Sequence, residues 1–314
     1  MRVKGLAYLD AENPKIIMFC GKGGVGKTTS AAATALHFAK KGQRVLLIST
    51  DPTPSLSDIL ERDVSKGITR VREAKTLDAV ELGCETVIEM WKAKFGPEVY
   101  EVISSFLPVD EEIIEYVAGA PGIDEEFALS YVYDLYKSGN YDVIAWDTAP
   151  AGGTLSLIKL QDKFYRHLGE AARLYVRIRK ALDTLVTSRA KRDPLKVIEE
   201  WERLAQNVLD MLKDERTHAI VVTIPEALGV NQTKRVIGEI ESFEMRISKI
   251  LVNYIITDQV ATNEFLRERA TMQRKYLEVL EKRYGKKFGV AQLPLLPSEV
   301  KGLSAIKEVE RLLF

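Results

Sequence analysis

The sequence predicts an α/β fold in which a mostly parallel, twisted sheet is flanked by helices. Short, continuous apolar runs recur along the chain, as expected of strands that are buried on both faces. The first run, IIMFC at 16–20, is followed by a helical stretch at 29–41 and by a second run, RVLLIS, at 44–49. Strand, helix and strand at this spacing form a βαβ unit, whose two strands are parallel.

Later parts of the chain repeat these two kinds of segment. Two stretches, 85–107 and 164–185, have apolar residues at helical spacing. We expect the first to be broken at Gly96-Pro97, because proline removes a helical hydrogen bond. Four more apolar runs add candidate strands to the sheet, at 143–146, 219–223, 247–252 and 290–293.

The helical stretches interrupt the predicted sheet, which indicates insertions into one domain rather than a separate domain at one end. The α/β domain then comprises 1–84, 123–161 and 215–314. The helical subdomain comprises 85–122 and 162–214.

Composition and charge restrict the class of protein. Lys and Arg total 45, as do Asp and Glu, so no overall charge attracts the chain to nucleic acid. The two cysteines are far apart in sequence, which excludes a disulfide scaffold and indicates a reducing compartment. No apolar run is long enough for a signal peptide or a membrane-spanning helix. We therefore expect a soluble, cytoplasmic protein that does not bind nucleic acid.

The segment GKGGVGKT at 21–28 matches the phosphate-loop pattern GxxxxGK[ST] in full. Glycines let the backbone approach a polyphosphate, and the N–H groups of the loop and of the following helix face it. Lys27 would reach the β- and γ-phosphates, and the Thr28 hydroxyl would ligate Mg²⁺. This pattern predicts a P-loop NTPase that binds ATP and Mg²⁺. The predicted nucleotide contacts here are Gly21, Lys22, Gly23, Gly24, Val25, Gly26, Lys27, Thr28 and Thr29.

A second lysine, Lys22, follows the first glycine of the loop. A plain phosphate loop does not need it, and GKGGVGKT resembles the deviant loop of dimeric ATPases such as the partition, division-site and nitrogenase-iron-protein families. This resemblance implies a homodimer in which Lys22 reaches the nucleotide of the partner.

Five further segments are similar to those of the arsenical-pump and tail-anchored-protein-targeting ATPases, in the same order along most of the chain. The first and second switch segments correspond to DPTPSLSD at 51–58 and DTAPAGGT at 147–154. The others are IPE at 224–226, the Asn253 that ends ILVN, and LPLLPSEVKG at 293–302. The chain thus resembles a prokaryotic or archaeal-type member of this family.

The resemblance implies roles for individual residues. Asp51 would orient the attacking water, so that Asp51, Lys22 and Lys27 are the expected catalytic residues. Asp147 ends an apolar run and would contact the Mg²⁺ shell. Asn253 has a donor and an acceptor with which to recognise an adenine edge. The matching glutamate of the family contacts nucleotide, which makes Glu226 a weaker candidate. The loop around the base would include Pro294, Leu295, Leu296 and Pro297.

The match departs from the family at several positions. Thr53-Pro54 and Gly152-Gly153 stand where the two switches usually have Ala-His and Gly-His. The zinc-binding CxxC of the eukaryotic targeting ATPases is absent, so no zinc is predicted. The cysteine triplet of arsenite pumps is also missing, and we expect Cys20 and Cys84 to be small core residues.

The resemblance implies a Mg²⁺-dependent ATPase whose homodimer carries a hydrophobic client helix of a membrane protein, with a possible membrane receptor. One alternative is a subunit that energises arsenite or anion efflux, and another is a partitioning-type ATPase. The apolar stripes of the insertions either pack on each other and on the sheet or form a client groove between two protomers. The residues leave these alternatives open.

Overall fold

A computed structural model of the protein describes residues 5–51, 53, 55–105, 108–149 and 194–314. The chain divides into two compact units. The first comprises Met1–Gly83, Leu135–Gly153 and Leu212–Phe314, and the second comprises Cys84–Asp134 and Thr154–Met211.

The first unit is built on an eight-stranded sheet with the order β3-β4-β2-β5-β1-β6-β7-β8. All neighbouring strands are parallel except β3 and β4. This confirms the predicted α/β fold with a mostly parallel sheet. The strands are β1 Ile16–Cys20, β2 Val45–Ser49, β3 Thr69–Arg70, β4 Leu77–Glu81, β5 Val143–Asp147, β6 Thr217–Thr223, β7 Ile247–Ile255 and β8 Val290–Pro294.

Helices flank this sheet and make up most of the described second unit. In the first unit, α2 and α10 pack against each other. The helices are α1 Leu9–Glu12, α2 Lys27–Lys40, α3 Leu56–Leu60, α4 Cys84–Ser104, α5 Ile113–Ala118, α6 Ile123–Ser138, α7 Pro194–Lys213, α8 Ala227–Ser242, α9 Glu264–Leu280 and α10 Gly302–Leu313. A π-helical turn, Glu281–Gly285, continues α9.

Burial on both faces explains the continuous apolar runs of the central strands. Every residue of β1, β2 and β5 is buried. Trp146 of β5 is fully buried, and its indole N–H donates to the Thr50 Oγ1 at 3.0 Å. The register places Ser49, the last residue of β2, between Glu81 of β4 and Asp147 of β5. Three polar side chains therefore lie on neighbouring strands at the carboxyl edge of the sheet.

The second unit has a small core of its own. Val102, Val197 and Ile198 are buried together, and the indole N–H of Trp201 donates to the Glu98 Oε2 at 2.9 Å. The unit begins at Cys84 and includes residues 123–134, whereas the sequence predicts that these residues belong to the α/β domain. Residues 154–193 of this unit lie outside the described residues.

The break expected at Gly96-Pro97 is wrong, because α4 runs without interruption from Cys84 to Ser104. Gly96 is buried, and a Cβ on it would lie 3.0 Å from the Ile114 Cγ2, so α4 and α5 pack closely at this point. The burial of one side of α4, including Trp91, offsets the hydrogen bond that Pro97 removes.

The two cysteines have different surroundings. Cys20 is a buried residue of β1, as expected, but Cys84 is exposed at the start of α4 and is not a core residue. Among the residues that the structure describes, every helix is too short or too polar to cross a lipid bilayer.

Candidate active site

The phosphate loop connects the end of β1 to the start of α2. Two of its glycines stand where a larger residue would clash with neighbouring atoms. A Cβ on Gly21 would lie 2.3 Å from the Val222 carbonyl oxygen of β6. Gly26 has φ of +96°, and a Cβ there would lie 2.2 Å from the Asn253 Nδ2. A Cβ on Gly23 or Gly24 would meet no atom of the described residues within 4 Å, so these two glycines form the open side of the loop. At Gly23 and Gly24 the loop therefore presents only backbone to an approaching polyphosphate.

Lys27 of this loop is buried against Asp51. The Lys27 Nζ lies 3.4 Å from the Asp51 Oδ2 and donates to the Lys22 carbonyl oxygen at 3.4 Å. The other carboxylate oxygen of Asp51 accepts bonds from the Thr53 N–H at 3.0 Å and the Thr53 hydroxyl at 2.6 Å. The structure thus brings together two of the three predicted catalytic residues and fixes the direction of the Asp51 carboxylate.

Asp147 is buried beside them at the end of β5. Its Oδ2 accepts bonds from the Thr28 hydroxyl at 2.7 Å and the Ser49 hydroxyl at 3.0 Å. Its Oδ1 is buried and has no hydrogen-bond partner among the described residues. Burial raises the pKa of Asp147 to about 6, although the Thr28 hydroxyl and the charge of Lys27 oppose the rise.

An unpaired carboxylate oxygen next to hydroxyl groups suits a hard cation. Mg²⁺ prefers oxygen ligands and is held by one or two protein groups together with phosphate oxygens. The Thr28 hydroxyl is also 3.1 Å from the Ser55 Oγ. The donor set around Asp147 Oδ1 therefore fits Mg²⁺, with Thr28 and Asp147 as the groups that would hold it.

Lys22, the third predicted catalytic residue, has the opposite surroundings. It is exposed, and its side chain makes no hydrogen bond or ion pair within the described part of the chain. Its backbone carbonyl nevertheless accepts from Lys27, so the two lysines share one loop but occupy different environments.

Asn253 contacts the phosphate loop directly. Its side-chain N–H donates to the Val25 carbonyl oxygen at 2.9 Å, and its Oδ1 accepts from the Tyr254 N–H at 2.8 Å. A register shift between β7 and β8 at this point and the left-handed φ of +59° at Tyr254 aim Asn253 at the loop. Gln273 of α9 holds the bulge through the Tyr254 carbonyl and the Ile256 N–H. The sequence did not predict this bracing contact.

The remaining candidates surround the same edge of the sheet. Glu226 precedes α8 and pairs with Arg269 at 2.7 Å, and it lines a small cavity together with Gly21 and Lys22. At the end of β8, Leu295 donates its N–H to Ile255, and Leu296 packs against the main core. Pro52, Pro54 and residues 150–154 of the predicted switch segments lie outside the described residues.

Comparisons with known proteins agree over nearly the full length of the chain. The family model described as "Anion-transporting ATPase" matches residues 14–314. A protein named "ATPase get3" from Pyrenophora tritici-repentis is 30% identical over 98% of this chain and 93% of its own length. "ATPase ASNA1 homolog 1" of Paramecium tetraurelia is 30% identical over 97% and 94%. "ATPase ASNA1 homolog" of Dictyostelium discoideum is 32% identical over 97% and 91%.

The raised pKa of Asp147 predicts an unusual pH dependence of stability without nucleotide or metal. The carboxyl binds its proton more tightly in the folded protein than in the unfolded chain. Its contribution to the free energy of unfolding is therefore complete below about pH 4 and is lost as the pH rises through about 6. Asp147→Asn removes this loss. We expect the free energy of unfolding of the variant, relative to the unmodified protein, to rise by roughly 2–3 kcal/mol between pH 4 and pH 7.

Urea unfolding in EDTA at several pH values measures this difference. Asp142→Asn is the matched control. The hydrogen bonds from Arg44 lower the pKa of the partly exposed Asp142 carboxyl, so its contribution to the pH dependence of stability has the opposite sign. A constant difference between Asp147→Asn and the unmodified protein across this range would contradict the prediction.

The contact from Asn253 to Val25 predicts that Asn253→Ala loosens the phosphate loop itself. We expect the dissociation constants of ATP and of inorganic tripolyphosphate to rise by the same factor, about 5- to 10-fold for one buried hydrogen bond. Calorimetric titration of both ligands gives the two factors. A loss for ATP alone would instead indicate that Asn253 acts only on the base.

Proposed function

The chain belongs to the anion-transporting ATPase family and is an ATPase, and we propose that it uses Mg²⁺ and ATP to carry the hydrophobic helix of a client membrane protein. The observation that carries this proposal is a single phosphate loop with a second, exposed lysine, in a chain that aligns along almost its whole length with relatives named ATPase get3 and ASNA1 homolog.

Nucleotide binding is assigned to the phosphate loop. The N–H groups of the loop and the start of α2 face the phosphates, and Lys27 adds a charge that is buried with them. In the structure this charge is balanced by Asp51 at 3.4 Å. We propose that the phosphates compete for Lys27 and so free Asp51. When bound at Thr28 and Asp147, Mg²⁺ neutralises the charge that develops on the phosphate oxygens.

Asp51 is the proposed group that orients the attacking water. Its Oδ2 faces Lys27, while the two bonds from Thr53 hold Oδ1 and fix the carboxylate plane. A carboxylate in this position can accept a water proton or its hydrogen bond. Hydrolysis then removes the γ-phosphate and restores the pairing between Asp51 and Lys27.

A homodimer is the proposed working state. Lys22 carries an exposed charge on the surface of the loop that would bind nucleotide, where a second copy could use it across an interface. Two copies are also needed to cover a client, because about 20 apolar residues form a helix of about 30 Å. Binding and hydrolysis of ATP would close and open this dimer.

The second unit is the proposed carrier of the client. Much of the apolar stripe predicted at 85–107 is already covered within the protein, since Trp91, Val99 and Val102 are buried. The client would thus contact residues other than these three. The balanced charge and the cysteine content support a cytoplasmic protein that does not bind nucleic acid. A membrane receptor is a further proposed partner.

Anion efflux is a second candidate, favoured by the description of the family model that the chain matches. The sequence gives it less support, because the two cysteines cannot supply the thiol triplet of arsenite pumps. Cys20 is also buried, and burial raises the pKa of its thiol to about 11, which disfavours the thiolate that would bind a metalloid.

For the hydrolytic step, Asp51→Asn keeps the shape of the side chain but removes its charge. We expect ATP binding within about threefold of that of the unmodified protein and turnover at least about 100-fold slower. Binding by titration and phosphate release under saturating ATP measure the two quantities. Lys27→Ala, which should abolish binding, and Asp63→Asn on the surface serve as controls. Normal turnover by Asp51→Asn would exclude Asp51 as the group that orients water.

For the dimer and its client, Lys22→Ala should leave the fold intact but prevent closure by ATP. We expect the unmodified protein with ATP to elute as a dimer together with a peptide of about 20 apolar residues, and Lys22→Ala to elute without it. Lys66→Ala, another exposed lysine, is the matched control. Parallel titrations use arsenite and plasmid DNA. Turnover stimulated by arsenite alone would overturn the targeting proposal in favour of efflux.

A further inference from the structure

Glu81 is a buried carboxylate near the candidate active site that neither the motifs nor the proposed mechanism uses. It ends β4 and is 1% exposed. Its Oε1 accepts from the backbone N–H groups of Ser55 at 2.7 Å and Leu56 at 2.6 Å. Its Oε2 accepts from the Ser57 hydroxyl at 2.7 Å and the Ser57 N–H at 3.3 Å. Four donors from three consecutive residues thus converge on one side chain.

This contact fixes the segment 55–57 more strongly than an ordinary helix cap would. Hydrogen bonds to a charged acceptor are shorter and stronger than neutral ones. A buried carboxylate without donors would also be costly, so the segment and Glu81 depend on each other. Because Glu81 belongs to the sheet and Ser55 to the connection between β2 and α3, the bonds tie a loop to the rigid core.

The fixed segment leads directly to the reacting groups. The Ser55 hydroxyl is 3.1 Å from the Thr28 hydroxyl, which in turn donates to Asp147. Asp51 lies four residues before Ser55 in the same connection. One end of the connection is held by β2, and Glu81 holds the other end.

We infer that Glu81 is a positioning residue for ATP hydrolysis, which holds the first switch segment so that Asp51 keeps its geometry. Glu81 acts through Asp51 and is not proposed as a nucleotide contact. The inference rests on the proposed role of Asp51 as the group that orients water.

Glu81→Gln is the direct test, because it keeps the size of the side chain and turns one acceptor into a donor that faces other donors. We expect kcat for ATP to fall by about 10- to 100-fold, as for a displaced catalytic group. The KM for ATP and its dissociation constant should stay within about threefold. Glu73→Gln, an exposed glutamate paired with Arg62, is the matched control and should leave both unchanged. An unchanged kcat in Glu81→Gln would overturn the inference.

A second readout does not involve ATP. Hydrogen exchange of the amides of residues 55–57 in the nucleotide-free protein should speed up by about tenfold in Glu81→Gln, while exchange in β1 and β6 stays the same. Faster exchange throughout the protein would mean that Glu81 serves only the stability of the fold, which would also overturn the inference. If Glu81→Gln does not fold, Ser57→Ala removes one donor and should change kcat and local exchange in the same direction by a smaller factor.

The double variant separates the inference from the proposed role of Asp51. If Glu81 acts through Asp51, adding Glu81→Gln to Asp51→Asn should slow turnover by less than about threefold, because the two changes affect one step. A full further loss would overturn the coupling. Normal turnover by Asp51→Asn alone would instead refute the role of Asp51, while the exchange measurement would still report whether Glu81 holds the segment.

Discussion

Four buried ionisable side chains constrain the positions of the loops at the edge of the sheet where the phosphate loop begins. Lys27, Asp51, Asp147 and Glu81 are all less than a tenth exposed. Burial of such groups is costly unless hydrogen-bond donors or opposite charges face them. Lys27 faces Asp51, hydroxyl groups from the phosphate loop and β2 face Asp147, and backbone N–H groups face Glu81. These donors come from separate loops and strand ends. A shift of one loop would therefore leave a charge in another without its partner.

Two lysines of one loop have different surroundings, and the fold explains why. Lys27 begins α2, directly under the carboxyl ends of β2 and β5, where carboxylates can balance its charge. Lys22 comes directly after the first glycine, and its side chain is exposed to solvent. A buried lysine needs partners within the chain, whereas an exposed one is free to meet a ligand or a second copy. One loop thus holds a lysine that is paired within the chain and a lysine that is available to a ligand or a second copy.

Much of the fold and part of the site could be predicted from the sequence, because local patterns carry that information. Buried parallel strands have continuous apolar runs, and the phosphate loop has a complete motif between a strand and a helix. The strand β4 was missed because Asp78 and Glu81 interrupt its apolar run. The uninterrupted course of α4 depends on packing against Ile114, which is distant in sequence. The contact of Asn253 with Val25 depends on a bulge in β7, far along the chain from the phosphate loop. Such contacts have no local signature.

The position of Trp146 makes its fluorescence a probe of the candidate site. The chain has three tryptophans, and Trp91 and Trp201 belong to the second unit. Trp146 directly precedes Asp147, and its indole donates to Thr50, next to Asp51. Indole emission responds to nearby charge and hydration, so a chain in which phenylalanine replaces the other two tryptophans would fluoresce only from beside Asp51 and Asp147. Stopped-flow spectroscopy could then time the arrival and departure of nucleotide without an attached dye.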